Sequence, residues 1–257
     1  MARELRRLLI AAQRLPAEGR SLELLQAERH YLERVLRLRC GERFAISDGA
    51  GHLWTALLSS SGADLEQPIG RPLRCEPPPK PQLRLAVAMP RQDGDVMARM
   101  VCEQGIDALM PLRADRSSAG QGPRGERLEA VLREAEEQSE RLWAMQLHPP
   151  QNARAWLGAP PPGLGLLATT RLEGLPLLNR QLASIDAPAG AAGLTLAIGP
   201  EGGWSSEEQA IAIRVGWQPV SLGPTILRVS TAAVTGAAAL VSWRLGLTCP
   251  SCSRPSP

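Results

Sequence analysis

The chain has 257 residues, 44% of them hydrophobic and 21% charged, a balance that fits neither an extended disordered chain nor a membrane protein and allows one large or two modest folded domains. Lys80 is the only lysine among 29 basic residues, which excludes a phosphate-cradling P-loop built on Gly-Lys-Ser/Thr. Six Trp, one Tyr and one Phe are too few for a base-stacking platform, and the formal net charge of +3 is modest.

That charge is unevenly spread. Residues 1–43 hold ten Arg against six Glu, which fits either a face for a polyanion, since Arg suits bidentate phosphate contacts, or an ordinary solvated surface. The opening stretch is basic, but its apolar run at 8–12 is too short for a signal-peptide core. The longest small and apolar stretch, 229–243, falls short of the ~20 residues a bilayer requires, so no membrane partner is expected. Five scattered cysteines (Cys40, Cys75, Cys102, Cys249, Cys252) fit a reducing cytoplasm. Cys249 and Cys252 have CxxC spacing without a second pair or a nearby His, and no metal site is expected there.

In chain order, a helix-like run at 28–38 leads into short alternating segments at 43–46 and 53–58. Ser47-Asp-Gly-Ala-Gly51 joins these two as a tight turn, and a small β-rich domain over 1–75 is expected. Glu76-Pro-Pro-Pro-Lys-Pro81 is a semi-rigid linker. Beyond it, apolar runs at 83–89, 108–112, 163–169, 194–199 and 219–222 read as strands buried on both faces. Helical patterns at 95–104, 126–142, 175–184, 206–215 and 231–245 fall between them. The alternation predicts an α/β domain with a mostly parallel sheet over 82–248, followed by an unstructured tail at 249–257. In such sheets ligands bind beyond the carboxyl ends of the strands, which singles out the loops after Ile198 and Leu222. Gly120, Gly122 and Gly125 match GxGxxG literally, but polar residues separate them from any strand and Pro123 interrupts them, so they read as a loop.

In the stretch 194–208, a buried strand runs into Gly199-Pro-Glu-Gly-Gly203, and Ser205 with Glu208 forms a capping box for the next helix. Pro200 and the glycines hold Glu201 on a turn at a strand end, either as a positioned carboxylate or as a solvated one on an ordinary turn. In Ser221-Leu-Gly-Pro-Thr-Ile-Leu-Arg-Val-Ser-Thr231, a strand ends at Gly223-Pro224 and Arg228 precedes Ser230 and Thr231, either of which can cap the last helix. Arg228 is either a surface arginine or a functional one, because its charge is unfavourable at that end of the helix dipole. Ala232, Ala233, Gly236 and Ala237–Ala239 permit close backbone approach, within the fold or across a dimer.

These two segments resemble the knotted SPOUT-class RNA methyltransferases, and specifically the ribosomal RNA small subunit methyltransferase E family. The similarity extends to His30, Val35-Leu-Arg37, Gly41 and Asp48-Gly49, and to Glu103-Gln-Gly-Ile106, Asp115-Arg-Ser117 and Glu137-Gln-Ser-Glu-Arg141. It implies a PUA-like amino-terminal β-barrel, a carboxy-terminal domain with a trefoil knot, a cytoplasmic homodimer, and methylation by S-adenosylmethionine of N3 of one uridine in 16S ribosomal RNA. Thr169, Thr170, Ile198, Gly199, Pro200, Gly202, Gly203, Ser221, Leu222, Gly223, Ile226 and Leu227 are then expected to hold the cofactor. Arg228 is expected to stabilise the uracil anion, and Glu201 to position Arg228 or to accept the proton through water. Arg6, Arg7, Arg34, Arg37, Arg116 and Arg141 are the expected RNA contacts. Where the family commonly has Glu, two residues beyond the arginine, this chain has Ser230. The alternatives are an RNA-binding protein of this fold without catalysis, or a SPOUT methyltransferase acting on another RNA.

Overall fold

A computed structural model describes residues 5–16, 18–117, 125–170, 172–185 and 192–248. The glycine-rich loop at 120–124 and the Cys249–Cys252 pair with its tail therefore lie outside the described residues. The chain divides into two units, one of residues 1–78 together with Arg133–Ala144 and the other of Pro79–Leu132 and Met145–Pro257. The first crossing falls inside the proline run. The segment 133–144, placed with the second domain on sequence pattern, instead packs with the first.

The first unit carries strands β1 (Arg7–Leu9), β2 (Ser21–Leu22), β3 (Arg43–Ser47), β4 (His52–Leu58), β5 (Ala63–Leu65) and β6 (Arg74–Cys75). They form one sheet in the order β1-β3-β4-β5-β2, with β6 paired to β4. β1 runs parallel to β3 and the other pairs are antiparallel. The β3–β4 register sets Phe44 opposite Ala56 and Ile46 opposite Trp54. Those side chains bury with Ile10, Leu32 and Leu58 in one core, each large one contributing about 1.5–3 kcal/mol. The run at 28–38 is split. Helix α1 (Gln26–His30) continues as one π turn, Tyr31–Val35, closed by Leu36 N–H to the Tyr31 carbonyl at 2.9 Å, and Arg37 ends it at φ +58°.

The tight turn forms where the sequence places it, and it recruits the distant segment. Asp48 Oδ1 accepts the N–H groups of Ala50 and His52 at 2.7 and 3.0 Å. Gly51, at φ +98°, donates to the Leu142 carbonyl, and a Cβ on it would lie 2.4 Å from the Glu76 carbonyl. Trp143 Nε1 donates to that same Glu76 carbonyl at 3.1 Å. Leu142 buries against Ala45 and Leu53, and Glu137 Oε1 accepts the Leu9 N–H at 2.9 Å. These contacts hold 133–144 in the first unit.

In the second unit the strands are β7 (Leu83–Ala88), β8 (Ala108–Arg113), β9 (Gln146–Leu147), β10 (Gln151–Asn152), β11 (Leu164–Ala168), β12 (Leu194–Ile198) and β13 (Gln218–Val220). Between and after them run α2 (Gly94–Gln104), α3 (Gly125–Gln138), which passes into the first unit at Arg133, α4 (Ala153–Leu157), α5 (Leu178–Ala183), α6 (Ser206–Arg214) and α7 (Val229–Thr248). The sheet order is β10-β8-β7-β12-β11-β13, with β9 on β8, and every pairing is parallel. Every residue of β12 is buried, as expected for a strand covered on both faces. Helix α7 packs on β7 and β12, so close that a Cβ on Gly236 would lie 2.4 Å from the Leu196 side chain. At least that small residue serves packing within the fold. Farther along α7, Arg244 pairs with Asp107 at 2.5 Å and donates to the Gly105 carbonyl at 2.7 Å, tying the helix to the end of α2. No helix among the described residues is long and apolar enough to cross a membrane.

Candidate active site

β11, β12 and β13 are neighbours in the parallel sheet, and the loops leaving their carboxyl ends converge on a cleft of about 160 Å³. Thr169 and Thr170 come from the β11 loop. The β12 loop adds Ile198, Gly199, Pro200, Glu201 and Gly203. The β13 loop adds Leu222, Gly223, Ile226 and Leu227, and Ile226 is 83% exposed. A second depression of about 230 Å³ adjoins it, sharing Thr170, Gly223, Thr225 and Ile226 and adding Ser221.

The β12 loop is a tight turn, closed by Gly203 N–H to the Pro200 carbonyl at 2.8 Å, with Gly203 at φ +72°. Glu201 and Gly202 are its central residues, and Glu201 is exposed. Gly199 lies over the indole of Trp204, where a Cβ would sit 3.1 Å from the ring. That indole is 2% exposed and donates through Nε1 to the Ala168 carbonyl at 3.0 Å, joining the β11 and β12 loops.

The predicted capping box is present. Ser205 Oγ accepts the Glu208 N–H at 3.2 Å and Glu208 Oε2 accepts the Ser205 N–H at 2.7 Å. Glu208 is fully buried, and its other oxygen accepts the Asp115 N–H at 2.9 Å. Ser205 in turn donates to Asp115 Oδ2 at 2.7 Å, where Arg154 also donates at 2.8 Å. The Arg154 guanidinium and the Ser205 hydroxyl hold the Asp115 carboxyl below its ordinary range.

Several predicted residues stand elsewhere than the sequence implied. Gly202 is not part of the cleft wall; a Cβ on it would lie 3.0 Å from Arg116 Cβ. Arg116, expected on RNA, donates to the carbonyls of Gly202 at 3.2 Å and Trp204 at 3.4 Å. Helix α7 starts at Val229, with the Arg228 carbonyl accepting the Ala232 N–H at 2.8 Å. Ser230 and Thr231 therefore lie in its first turn rather than capping it. Arg228 is exposed, and neither its guanidinium nor the Glu201 carboxylate has an ion-pair or hydrogen-bond partner among the described residues. A Glu201–Arg228 ion pair is thus not formed.

In the first unit, Arg7 is committed internally. It donates to the Glu140 carbonyl at 2.5 Å and pairs with the Glu140 carboxylate at 2.6 Å, with 9% of its side chain exposed. Arg141 is half-buried and donates to the Trp143 carbonyl at 3.0 Å. By contrast Arg6, Arg34 and Arg37 are exposed, and their guanidinium groups have no partner among the described residues. Among the cleft residues that escaped the sequence reading are Trp204 and Gln209, whose side chains bridge its loops. The available signal was the spacing of four from Ser205 to Gln209, which puts both on one side of the first turn of α6.

Residues 76–241 match the family model described as RNA methyltransferase domain, and residues 25–65 the one described as RNA methyltransferase PUA domain. The fold and the cleft at its strand ends are those of an RNA methyltransferase with an appended PUA-like domain. The ribosomal RNA small subunit methyltransferase E of Synechocystis is 38% identical over 220 residues, covering 82% of this chain and 70% of that protein. Its namesake in Mycobacterium bovis is 31% identical over 228 residues, covering 80% of each. The chain belongs to the ribosomal RNA small subunit methyltransferase E family. The crystal structure of the Neisseria gonorrhoeae enzyme of that name, bound to S-adenosyl methionine, shares the fold with a TM-score of 0.77 at 24% identity, covering 93% of this chain and 98% of that one.

Proposed function

We propose that the chain uses S-adenosylmethionine to methylate N3 of one uridine in 16S ribosomal RNA of the small subunit. The observation that carries the reading is the cleft. Three adjacent strand ends line it, its walls are largely main chain and aliphatic side chains, and on its loops stand the Glu201 carboxylate and the Arg228 guanidinium, both without a partner among the described residues. With the depression beside it, the space reaches the range of small-molecule sites, roughly 300 Å³ upward. The main chain of the loops at 199–203 and 222–227 suits an adenosine, and Leu222, Ile226 and Leu227 suit its apolar faces, so the residues fit the cofactor.

When bound, the cofactor supplies an electrophilic sulfonium methyl. The chain's own groups must then remove the N3 proton of the uracil ring and stabilise the charge that spreads to the ring oxygens. Arg228, uncommitted to any carboxylate, directs its donors at those oxygens. Glu201, free of Arg228, accepts the proton through a water. The rigid turn from Pro200 to Gly203 and the clasp of Arg116 keep the reacting groups aligned, which is a large share of catalysis in methyl transfer between two bound partners. On the first unit, Arg6, Arg34 and Arg37 are free to meet phosphates.

The same reading includes the family's knot, a cytoplasmic location and a homodimer. A groove of about 730 Å³ between α5 and α7, lined by Leu177, Leu182, Trp243 and Leu247, offers the apolar face a second copy would cover, and it shares Leu222 and Gly223 with the cleft. The test is incubation of the purified protein with S-adenosylmethionine and small subunits from cells lacking this methylation, followed by nucleoside mass spectrometry. One 3-methyluridine per subunit is the expected product. Cofactor binding without any methylated nucleoside would instead favour the RNA-binding protein without catalysis, the reading that Ser230 would fit.

A further inference from the structure

Gln209 reaches the cleft from the first turn of α6 and uses both ends of its side-chain amide. Nε2 donates to the Trp204 carbonyl at 3.3 Å, and Oε1 accepts the Thr169 hydroxyl at 3.3 Å. The orientation of the amide is decided by Trp204, because a carbonyl oxygen can only accept, and turning the amide over would set Oε1 against it. That carbonyl is itself fixed. It also receives Arg116 Nη1, and the indole of the same residue is buried and anchored on the Ala168 carbonyl. With the amide locked, the proton of the Thr169 hydroxyl has a defined destination. The Thr169 N–H is spent as well, on the Val220 carbonyl at 3.0 Å. What the Thr169 side chain has left for the cleft is a lone pair.

We propose that Gln209 is a positioning residue that fixes the Thr169 hydroxyl as a hydrogen-bond acceptor, so that this wall of the cleft selects a donor on the bound nucleoside, either a ribose hydroxyl or the adenine amino group. The inference rests on the S-adenosylmethionine reading above and adds to it a polarity at one point of the site. It also gives Gln209 a role that depends on its hydrogen-bonding pattern rather than its bulk. A ligand presenting an acceptor at that point would face an acceptor, and without the amide the hydroxyl could turn and donate instead.

The test is calorimetric titration with S-adenosylhomocysteine and with analogues lacking in turn the 2′-hydroxyl, the 3′-hydroxyl and the adenine amine, on the wild type, Thr169→Val, Thr169→Ser and Gln209→Ala. One analogue is expected to bind the wild type and Thr169→Ser about tenfold more weakly than the parent, while Thr169→Val and Gln209→Ala lose most of that discrimination. Equal penalties for every analogue across all four proteins would overturn the proposal, as would Thr169→Val and Gln209→Ala both binding the parent within twofold of wild type. Failure of the wild type to bind S-adenosylhomocysteine would instead defeat the cofactor reading. Melting curves without ligand separate a folding defect from a binding one, and if Thr169→Val does not fold, Gln209→Ala decides the outcome alone.

Discussion

The Arg116 guanidinium donates to the Gly202 carbonyl at 3.2 Å, and its Cβ fills the space that a side chain on Gly202 would need. A residue expected to grip RNA and one expected to touch the cofactor therefore meet each other. Their contact closes the outer side of the turn that presents Glu201.

Arg116→Ala is accordingly expected to loosen that turn. Two partly exposed hydrogen bonds from a charged donor are lost, roughly 1 kcal/mol, or about fivefold in S-adenosylmethionine affinity. Gly202→Ala should act in the same direction by displacing Arg116. The salt dependence of RNA binding by Arg116→Ala should match the wild type; a shallower slope would return Arg116 to the RNA contacts.

For catalysis, Arg228→Ala should leave cofactor affinity within about twofold and lower single-turnover methylation by at least about 10²-fold, the usual cost of removing one donor to a developing anion. Glu201→Gln should lower the rate by a similar order, because the proton acceptor is gone. Since no Glu201–Arg228 pair exists to be broken, the charge-neutral Gln variant should bind cofactor normally. Rate profiles on small subunits, with equilibrium binding in parallel, check both variants.

Arginines that look alike in the sequence separate in the structure. Arg34→Ala and Arg37→Ala should each weaken RNA binding at every sequence and reduce the salt slope by about 1, the signature of a lost phosphate contact. Arg7→Ala should leave the slope unchanged and destabilise the protein by about 1–2 kcal/mol, since it removes the partner of a half-buried Glu140 and a bond to the Glu140 carbonyl. Filter binding across salt concentrations and urea denaturation distinguish the two behaviours.

What could be seen in the sequence was local. The buried run at Leu194–Ile198, the proline and glycines after it, and the Ser205–Glu208 box each encode their conformation within a few residues, and the cleft follows because parallel strands end on one side of a sheet. The partners of side chains were not visible. Nothing within a turn of Arg7 announces Glu140, 133 residues away, and no periodicity says that the last part of α3 leaves the second unit to cap the N–H of Leu9. Strand β1 escaped for the same reason, since three residues in a basic stretch become a strand only when β3 lies alongside. Trp204 and Gln209 belong to the cleft through contacts with Ala168 and Thr169, and these again are set by tertiary structure.

Glu137 carries a consequence for stability. Its carboxyl lies largely buried in the first unit, and burial, only partly opposed by the Leu9 N–H and by Arg133, pushes its pKa up from 4.5 to about 7. In the unfolded chain the group ionises near its ordinary value, so between these two pH values the folded protein holds a proton that the unfolded chain has released. The stabilisation is complete below about pH 4.5 and is lost as pH rises through about 7. The shift corresponds to a loss of ~3 kcal/mol across that window. Glu137→Gln keeps an oxygen for the Leu9 N–H and removes the titration, so it should be more stable than wild type at pH 8 and close to it at pH 5. Urea midpoints for both proteins at the two pH values measure this directly. A difference between them that does not change with pH would mean that Glu137 stays ionised in the folded protein, with the Leu9 N–H and Arg133 outweighing burial.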